Sequence, residues 1–341
     1  MDETRPALYG TRSTILVVIV NYRTAALTLK CLQSLSAEVQ ADGAIRVTVV
    51  ENASMQMAQL ESAVQVNGWT RWVRLIDAPR NGGFSYGNNL AIIAALASAT
   101  PPDYVVLLNP DTETRGIAMR ALADFMDARP EAGIGGSSIE NEDGSLWPIA
   151  FRFPSAFSEI EQAMQFGPLT RLLRHVKIVH EMTSDSAVVD WVSGACMVIR
   201  RQVFDEIGMM DEGYFLYFEE IDFCRRAREK GWPCWYVQAS RIMHLSGEST
   251  GASGSGNGGK RMPDYWFASR SRYFVKHHGV WYARLADLAC IAGMAVWHAR
   301  NALFQRRRQC RPMMLRDFLR TSVLFMRREA IERRTGIGHG A

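Results

Sequence analysis

Two stretches of the 341-residue chain place carboxylates where a carboxylate could do chemistry. In Tyr104 to Glu113, YVVLLNPDTE, four apolar residues, Val105 to Leu108, stop abruptly at Asn109-Pro110-Asp111. The run is too short for a helix and β-branched enough for a buried strand, which predicts Asp111 at a strand's C-terminal edge. In open α/β sheets ligands bind at that edge, because the strands there give way to loops. Asn-Pro-Asp is equally an ordinary β-turn, and the pattern alone leaves both readings open. The second stretch is Met210 to Lys230, MDEGYFLYFEEIDFCRRAREK, where Glu219, Glu220 and Asp222 follow the aromatic Tyr214, Phe215, Tyr217 and Phe218. Ile221, Cys224 and Ala227 recur at helical spacing until Gly231, so these acids open a helix. There they complement the macrodipole, and Asp222 to Arg226 is an i,i+4 pair. Alternatively, the aromatic neighbours desolvate one carboxyl and raise its pKa toward that of a general base.

The elements that must position these residues alternate. Ile15 to Val20 reads as a buried strand closed by Asn21-Tyr22-Arg23, with a helical pattern from Ala25 to Leu35. Ile45 to Val50 ends in Glu51-Asn52-Ala53-Ser54, and Trp72 to Ile76 leads into Pro79-Arg80-Asn81-Gly82-Gly83. Such alternation predicts an α/β fold with a mostly parallel sheet flanked by helices. Asn81 to Asn89, NGGFSYGNN, precedes the helical pattern of Leu90 to Ala97. Its glycines let backbone approach a ligand and the following helix N-terminus favours phosphate, although a glycine-rich turn is also just a turn. No spaced G-x-G-x-x-G follows the first strand, which argues against a dinucleotide-binding oxidoreductase. Gly116 to Ala128 is helical, Ile134 to Ile149 reads as short strands with a hairpin, and Phe157 to Val179 is undetermined. Val188 to Arg200 is strand-like, with Ser193-Gly194 marking a kink or a ligand's close approach. Cys234 to Val237 is a short strand, and His244, which follows it, is by itself most simply structural.

With 48% hydrophobic and 22% charged residues the composition is that of an ordinary globular protein. Six widely spaced cysteines argue against a zinc ribbon or a secreted disulfide framework, and the polar start, residues 1–13, does not read as a signal peptide. Both point to the cytoplasm. The net charge of +4 is uneven: residues 284–341 hold 12 Arg against 4 acids. Residues 250–262 contain a Gly/Ser-rich loop, either a linker or a lid that carries Lys260 and Arg261 over a phosphate. Beyond it, residues 263–341 form a basic amphipathic extension. Its uninterrupted apolar run, Leu288 to Trp297, is about 10 residues, short of the roughly 20 that span a bilayer. With Arg306-Arg307-Arg308 and the amphipathic Met313 to Met326, it suits the surface of an anionic membrane or a helical subdomain packed on the core; nucleic acid is not expected.

In order along the chain, Asn21-Tyr22, Glu51-Asn52-Ala53-Ser54, the Asn81 to Asn89 loop, Leu108-Asn109-Pro110-Asp111, Ser193-Gly194, Phe215 to Asp222 and His244 resemble the family-two inverting glycosyltransferases of the rhamnosyltransferase type, which have the GT-A fold. The resemblance covers residues 14–249. It implies that Tyr22 and Glu51 hold the base of a nucleotide-diphosphate sugar donor, while Asn81, Gly82, Gly83, Asn88 and Asn89 line its ribose and diphosphate. Asn109, Ser193 and Gly194 complete the donor site. Asp111 and His244 would bind Mg²⁺ or Mn²⁺, and Glu220 would be the catalytic base. Glu51 and Glu220 stand where Asp is commoner, and one extra methylene moves a carboxylate by about 1.5 Å. Glu219 and Asp222 are therefore alternates for the base. The implied activity is transfer of a sugar, rhamnose from dTDP-rhamnose in particular, to a glycan or lipid-linked acceptor in surface polysaccharide biosynthesis, at the inner face of the cytoplasmic membrane. A catalytically weak sugar-nucleotide-binding subunit and a nucleotidyltransferase of similar fold are the alternatives.

Overall fold

The computed structural model describes residues 12–141, 144–179, 185–244, 260–304 and 313–337. Most of the polar lead-in, the Gly/Ser segment before Lys260 and Arg306 to Arg308 lie outside the described residues. Strands β1 (Ile15–Asn21), β2 (Ile45–Glu51), β3 (Val73–Asp77) and β4 (Tyr104–Leu108) are parallel neighbours in the order β3-β2-β1-β4. Helices α1 (Ala25–Ala41), α2 (Met57–Val66) and α3 (Gly83–Leu96) connect them. β1 and β4 are buried along nearly their whole length, as strands with helices on both faces are, whereas β2 and the edge strand β3 expose Arg46, Arg74 and Asp77. The chain turns from one side of β1 to the other between β3 and β4, so the loops after β1 and β4 flank the switch point where such sheets open a crevice.

Beyond β4 the sheet is mixed. After β5 (Thr112–Arg115) and α4 (Ala118–Asp127) come β6 (Ile134–Glu140), β7 (Leu146–Trp147) and β8 (Ala150–Phe151). Helices α5 (Ala156–Met164) and α6 (Gly167–Leu172) occupy the undetermined stretch. β9 (Ala187–Val189), β10 (Trp191–Val192), β11 (Cys196–Arg200), α7 (Arg201–Ile207), α8 (Glu219–Glu229) and β12 (Cys234–His244) complete the domain. The order continues from β4 through β11, β6 and β12 to β5, with β11 antiparallel to both of its neighbours. Ser193 and Gly194 sit in the break between β10 and β11. β12 is longer than the predicted four residues and runs on to His244, across a register shift between Val237 and Arg241.

The C-terminal extension begins with α9 (Asp264–Leu303), 40 residues broken only at Gly279, whose φ is 80°. Short helices α10 (Met314–Thr321) and α11 (Arg328–Thr335) follow. α9 packs along α5, and Gly293 permits the approach: a Cβ there would sit 2.7 Å from the Cβ of Ala163. Between the two helices the buried Arg270 pairs with Glu159 at 2.8 Å and with Asp287 at 2.5 Å. The helix departs from the sequence expectation of a ten-residue apolar run. An 18-residue window of α9 reaches a mean hydropathy of 1.3, so by length and composition alone it is sufficient to cross a membrane. The expected run starts after Asp287, and the helix itself extends well before it and carries Arg284 and Asp287. One face of it, including Ala283, Ala286, Cys290 and Trp297, is nevertheless buried.

Candidate active site

The metal-ligand candidates are brought together by strand register. β5 pairs antiparallel with β12, matching Thr112 to His244, which sets the imidazole beside Asp111. His244 Nε2 lies 3.2 Å from Asp111 Oδ1, and Asp111 is buried. A carboxylate oxygen and an imidazole nitrogen side by side fit Mg²⁺ or Mn²⁺, provided the remaining positions are filled by diphosphate and water oxygens. Among the described residues no group of three His, Cys, Asp or Glu side chains gathers as a self-sufficient site. The turn that carries Asp111 is pinned: Thr112 Oγ1 donates to Asn109 O at 2.7 Å, and Asn109 N–H donates to Ala195 O at 2.9 Å.

On the other side of the switch point, Glu51 is buried at the end of β2, level with Asn21 on β1 and Asp77 on β3. Its Oε1 accepts from Ser54 N–H at 2.8 Å. Tyr22, just past β1, is 37% exposed, with the Arg23 guanidinium 5.2 Å from its ring centroid. The loop of Asn81, Gly82 and Gly83 is stapled by Asn52, whose Nδ2 donates to Asn81 Oδ1 at 3.1 Å and to Gly83 O at 3.2 Å. Gly83 has φ +85°, and a Cβ there would collide with the Phe215 carbonyl oxygen, so glycine is required. Next to it Phe84 N–H donates to Phe215 O at 2.9 Å. The Asn81 loop thus leans directly on the turn before α8.

That turn is strained. Tyr217 and Phe218 are consecutive non-glycine residues at φ 70°, a left-handed conformation that costs energy and clusters at functional sites. The strain aims Glu219 and Glu220 inward from the first turn of α8. Each has a buried Oε2 without a hydrogen-bond partner among the described residues. Burial pushes the Glu220 carboxyl up to about 7, opposed by hydrogen bonds from its own N–H and from Gly194 N–H. Burial, then the charge of Glu220, raises Glu219 as well. Gly194 lies close to the Cβ of Glu220 and the ring of Phe84, which gives the expected close approach at Ser193-Gly194 a partner: the protein's own carboxylate.

Asp222, an alternate for the base, has other work. It is fully buried, with Arg226 Nε at 2.8 Å, Lys276 Nζ at 2.7 Å and His277 Nε2 at 2.8 Å. Burial would raise its carboxyl, but His277, Arg226 and Lys276 hold it well below the carboxylate range. It is the ion-pair hub that fastens α8 to α9. Asn89, expected at the donor, instead spends both ends of its amide on the 210–212 loop, donating to Met210 O and accepting from Met210 N–H. Asn88 is buried and donates to Phe84 O at 2.9 Å, which shapes the loop from behind. Arg261, expected over a phosphate, pairs with Asp317 at 2.6 Å and so ties the start of α9 to α10; Lys260 is exposed.

Residues 12–257 match the family described as Glycosyltransferase like family 2. The chain belongs to that family. Among its relatives, the N-acetylglucosaminyl-diphospho-decaprenol L-rhamnosyltransferase of Mycobacterium tuberculosis is 31% identical over 190 residues, 52% of this chain and 61% of the relative. The rhamnosyltransferase WbbL of Escherichia coli is 27% identical, covering 48% of this chain and 61% of WbbL. The match thus spans about three fifths of the length of these curated relatives. A dTDP-rhamnosyl transferase of Shigella flexneri, RfbF, is 21% identical, covering 70% of this chain and 71% of RfbF. The fold agrees with solved GT-A glycosyltransferases. GalNAc-T7, solved with UDP, GalNAc and Mn²⁺, superposes with a TM-score of 0.55 at 13% identity, covering 86% of this chain and 55% of that one. The Pyrobaculum calidifontis mannosyltransferase PcManGT, solved with GDP-Man and Mn²⁺, gives 0.50 at 13% identity, covering 96% and 86%.

Within this family member, sequence reasoning missed Asn52 as the staple of the Asn81 loop and Gly194 as the prop of Glu220. Asn52 could have been found, because a polar amide directly after a buried strand must spend its hydrogen bonds on neighbouring loops. The contact of Gly194 with Glu220 bridges 26 positions and carries no local signal.

Proposed function

We propose that this chain is a metal-dependent inverting glycosyltransferase that transfers a hexose from a nucleotide-diphosphate donor to a lipid-linked saccharide in surface glycan biosynthesis. Rhamnose from dTDP-rhamnose is the specific donor assigned, on the strength of three relatives named for rhamnosyl transfer. The observation that carries the reading is that one joint serves both halves of the reaction. Asn109, two residues before Asp111, bonds to Ala195, and the adjoining Gly194 supports Glu220.

In this reading Tyr22 and Glu51 hold the nucleobase, and the backbone of Asn81 to Gly83 with the α3 N-terminus lies along the diphosphate. Asp111 and His244 hold the cation. Bound Mg²⁺ or Mn²⁺ neutralises the charge that develops on the departing diphosphate. Glu220 accepts the proton of the acceptor hydroxyl while that oxygen forms its bond to the anomeric carbon. The bond from that carbon to the diphosphate oxygen breaks, and its electron pair leaves with the nucleotide. Attack opposite the leaving group inverts the anomeric centre. A carboxyl with a pKa near 7 suits the task, since it takes a proton in the transition state and returns it to water at neutral pH. A lipid-linked acceptor, as in the mycobacterial relative's name, and the exposed apolar residues of α9 support action at the inner face of the cytoplasmic membrane.

Calorimetric titration of dTDP with and without Mn²⁺ tests the donor half. Mn²⁺ should tighten binding to the wild type at least tenfold, and Asp111→Asn should abolish that gain while the unliganded melting temperature stays put. A variant with undiminished Mn²⁺ dependence would remove Asp111 from the metal site.

A further inference from the structure

Beside Glu220 lies a mainly apolar cavity of about 620 Å³, within the range of roughly 300–1,000 Å³ typical of small-molecule sites. Glu220, Tyr217 and Trp191 line it together with Cys290, Met294 and Trp297 of α9; Tyr217 and Trp191 pack with the cluster around Phe218, Cys290 and Met294 with the one around Phe267 and Phe318. Trp266 packs against both groups, joining the aromatic surroundings of Phe218 to the cluster of Cys290 and Met294. The two groups differ in chemistry. Aromatic faces next to a reactive carboxylate suit the C–H face of a sugar ring, whereas thioether and indole walls away from it suit a flexible hydrocarbon. The buried Nε1 of Trp297 has no hydrogen-bond partner among the described residues, a donor left over in that apolar wall.

The same helix has a second apolar face. Trp281, Leu285, Leu288, Val296 and Leu303 are exposed on the side opposite Cys290 and Met294. From 281 to 303 every exposed residue of α9 except His298 is apolar. At 1.5 Å per residue that face is about 33 Å long. α9 therefore stands as a wall, with a hydrocarbon-compatible cavity on its inside and a hydrocarbon-compatible surface on its outside.

We infer that the cavity between α8 and α9 binds the first prenyl-type segment of the lipid carrier, with the acceptor saccharide at Glu220. The inference rests on the proposed function for the class of acceptor, and goes beyond it in assigning Cys290, Met294 and Trp297 to the carrier. It predicts that the enzyme recognises its acceptor through hydrocarbon as well as sugar.

Binding of farnesyl phosphate to the full chain, followed by tryptophan fluorescence below the lipid's micelle concentration, tests this without turnover. Farnesyl phosphate should bind and glycerol phosphate should not. Met294→Gln and, as a milder variant, Cys290→Ser should weaken farnesyl phosphate at least tenfold and about threefold, with dTDP binding unchanged as the check on folding. Leu285→Ser combined with Leu288→Ser, on the outer face, should leave it unaltered. Sensitivity of the outer-face variant together with indifference of the cavity variants would overturn the inference, as would equal binding of glycerol phosphate. A chain that binds farnesyl phosphate as described but transfers no sugar overturns the transferase reading alone. One that transfers equally well to acceptors with and without hydrocarbon overturns the cavity assignment alone.

Discussion

The proposed donor side and the proposed base side of this site are built on opposite terms. Around Asp111 and the Asn81 loop the strand ends are tied by hydrogen bonds: Asn52 to Asn81, Ser54 to Glu51, Thr112 to Asn109 and Asn109 to Ala195, with the Ser85 hydroxyl the one buried side-chain group in that loop left without a partner among the described residues. Around Glu220 the backbone is left-handed at two successive residues, and two buried carboxylate oxygens have no partner among the described residues. A satisfied scaffold holds what must stay still, while an unsatisfied carboxylate is held at a stability cost, as the proposed base role of Glu220 would require. Asp222, in the first turn of the same helix, is the counterweight, since Lys276 and His277 of α9 meet its carboxylate and fasten the strained turn to that helix, while Arg226 pairs with it from within α8.

The sharpest way to break this contrast is to remove the counterweight. Asp222→Asn leaves Arg226, Lys276 and His277 facing a neutral group and should cost roughly 3 kcal/mol in urea unfolding. Because the Asp222 carboxyl is depressed in the folded state, its stabilisation is present above its ordinary pKa of 3.8 and lost as pH falls further. The gap between variant and wild type should therefore close in strong acid; a gap that persists there would show that the loss is packing and not charge.

Next in size is Glu220→Gln, which should lower kcat by about 10² with donor affinity unchanged, the pattern of a group needed in the transition state. Wild-type turnover by Asp222→Asn alongside a dead Glu220→Gln would confine the base to Glu220, and the reverse result would move it. The pH dependence then tests cost against use. In the wild type kcat/KM should fall below about pH 7 as Glu220 takes up a proton. Its raised pKa stabilises the fold below its ordinary pKa of 4.5, and that contribution is lost as pH rises through about 7. Glu220→Gln should thus melt higher than wild type at pH 8 and show no such gain at pH 4. Matching melts at both would mean that Glu220 carries no stability cost.

Smallest is the effect expected of Asn52→Ala, which loosens the Asn81 loop and should raise the donor KM several-fold while leaving kcat within about twofold. A loss confined to kcat would put Asn52 with the reacting atoms and blur the two sides.

How much of this was legible in the sequence follows the same division. Asp111 was readable because a short apolar strand ending in Asn-Pro-Asp is a local signal, and the resemblance put His244 beside it. What joins them physically, the Thr112 to His244 register, lies between segments more than 130 positions apart. Asn89 and Arg261 read as ligand contacts because a free amide and a free guanidinium look alike in sequence whether they meet a phosphate or the protein. Only the fold shows that Met210 and Asp317 claim them. Along α9, Asp287 interrupts the apolar run in the sequence, and only the fold shows that it is buried and paired with Arg270.

The bond from Phe84 N–H to Phe215 O, together with the close fit of Gly83 beneath it, has a consequence for anyone redesigning the donor preference. A loop grafted from a relative into positions 81–86 would arrive without the carbonyl it was shaped against. Its mismatch would be felt five residues further along, at the carboxylate of Glu220. Residues 81–86 and 213–220 are therefore one cassette in two pieces, and chimaeras that exchange donor sugars should transplant both together.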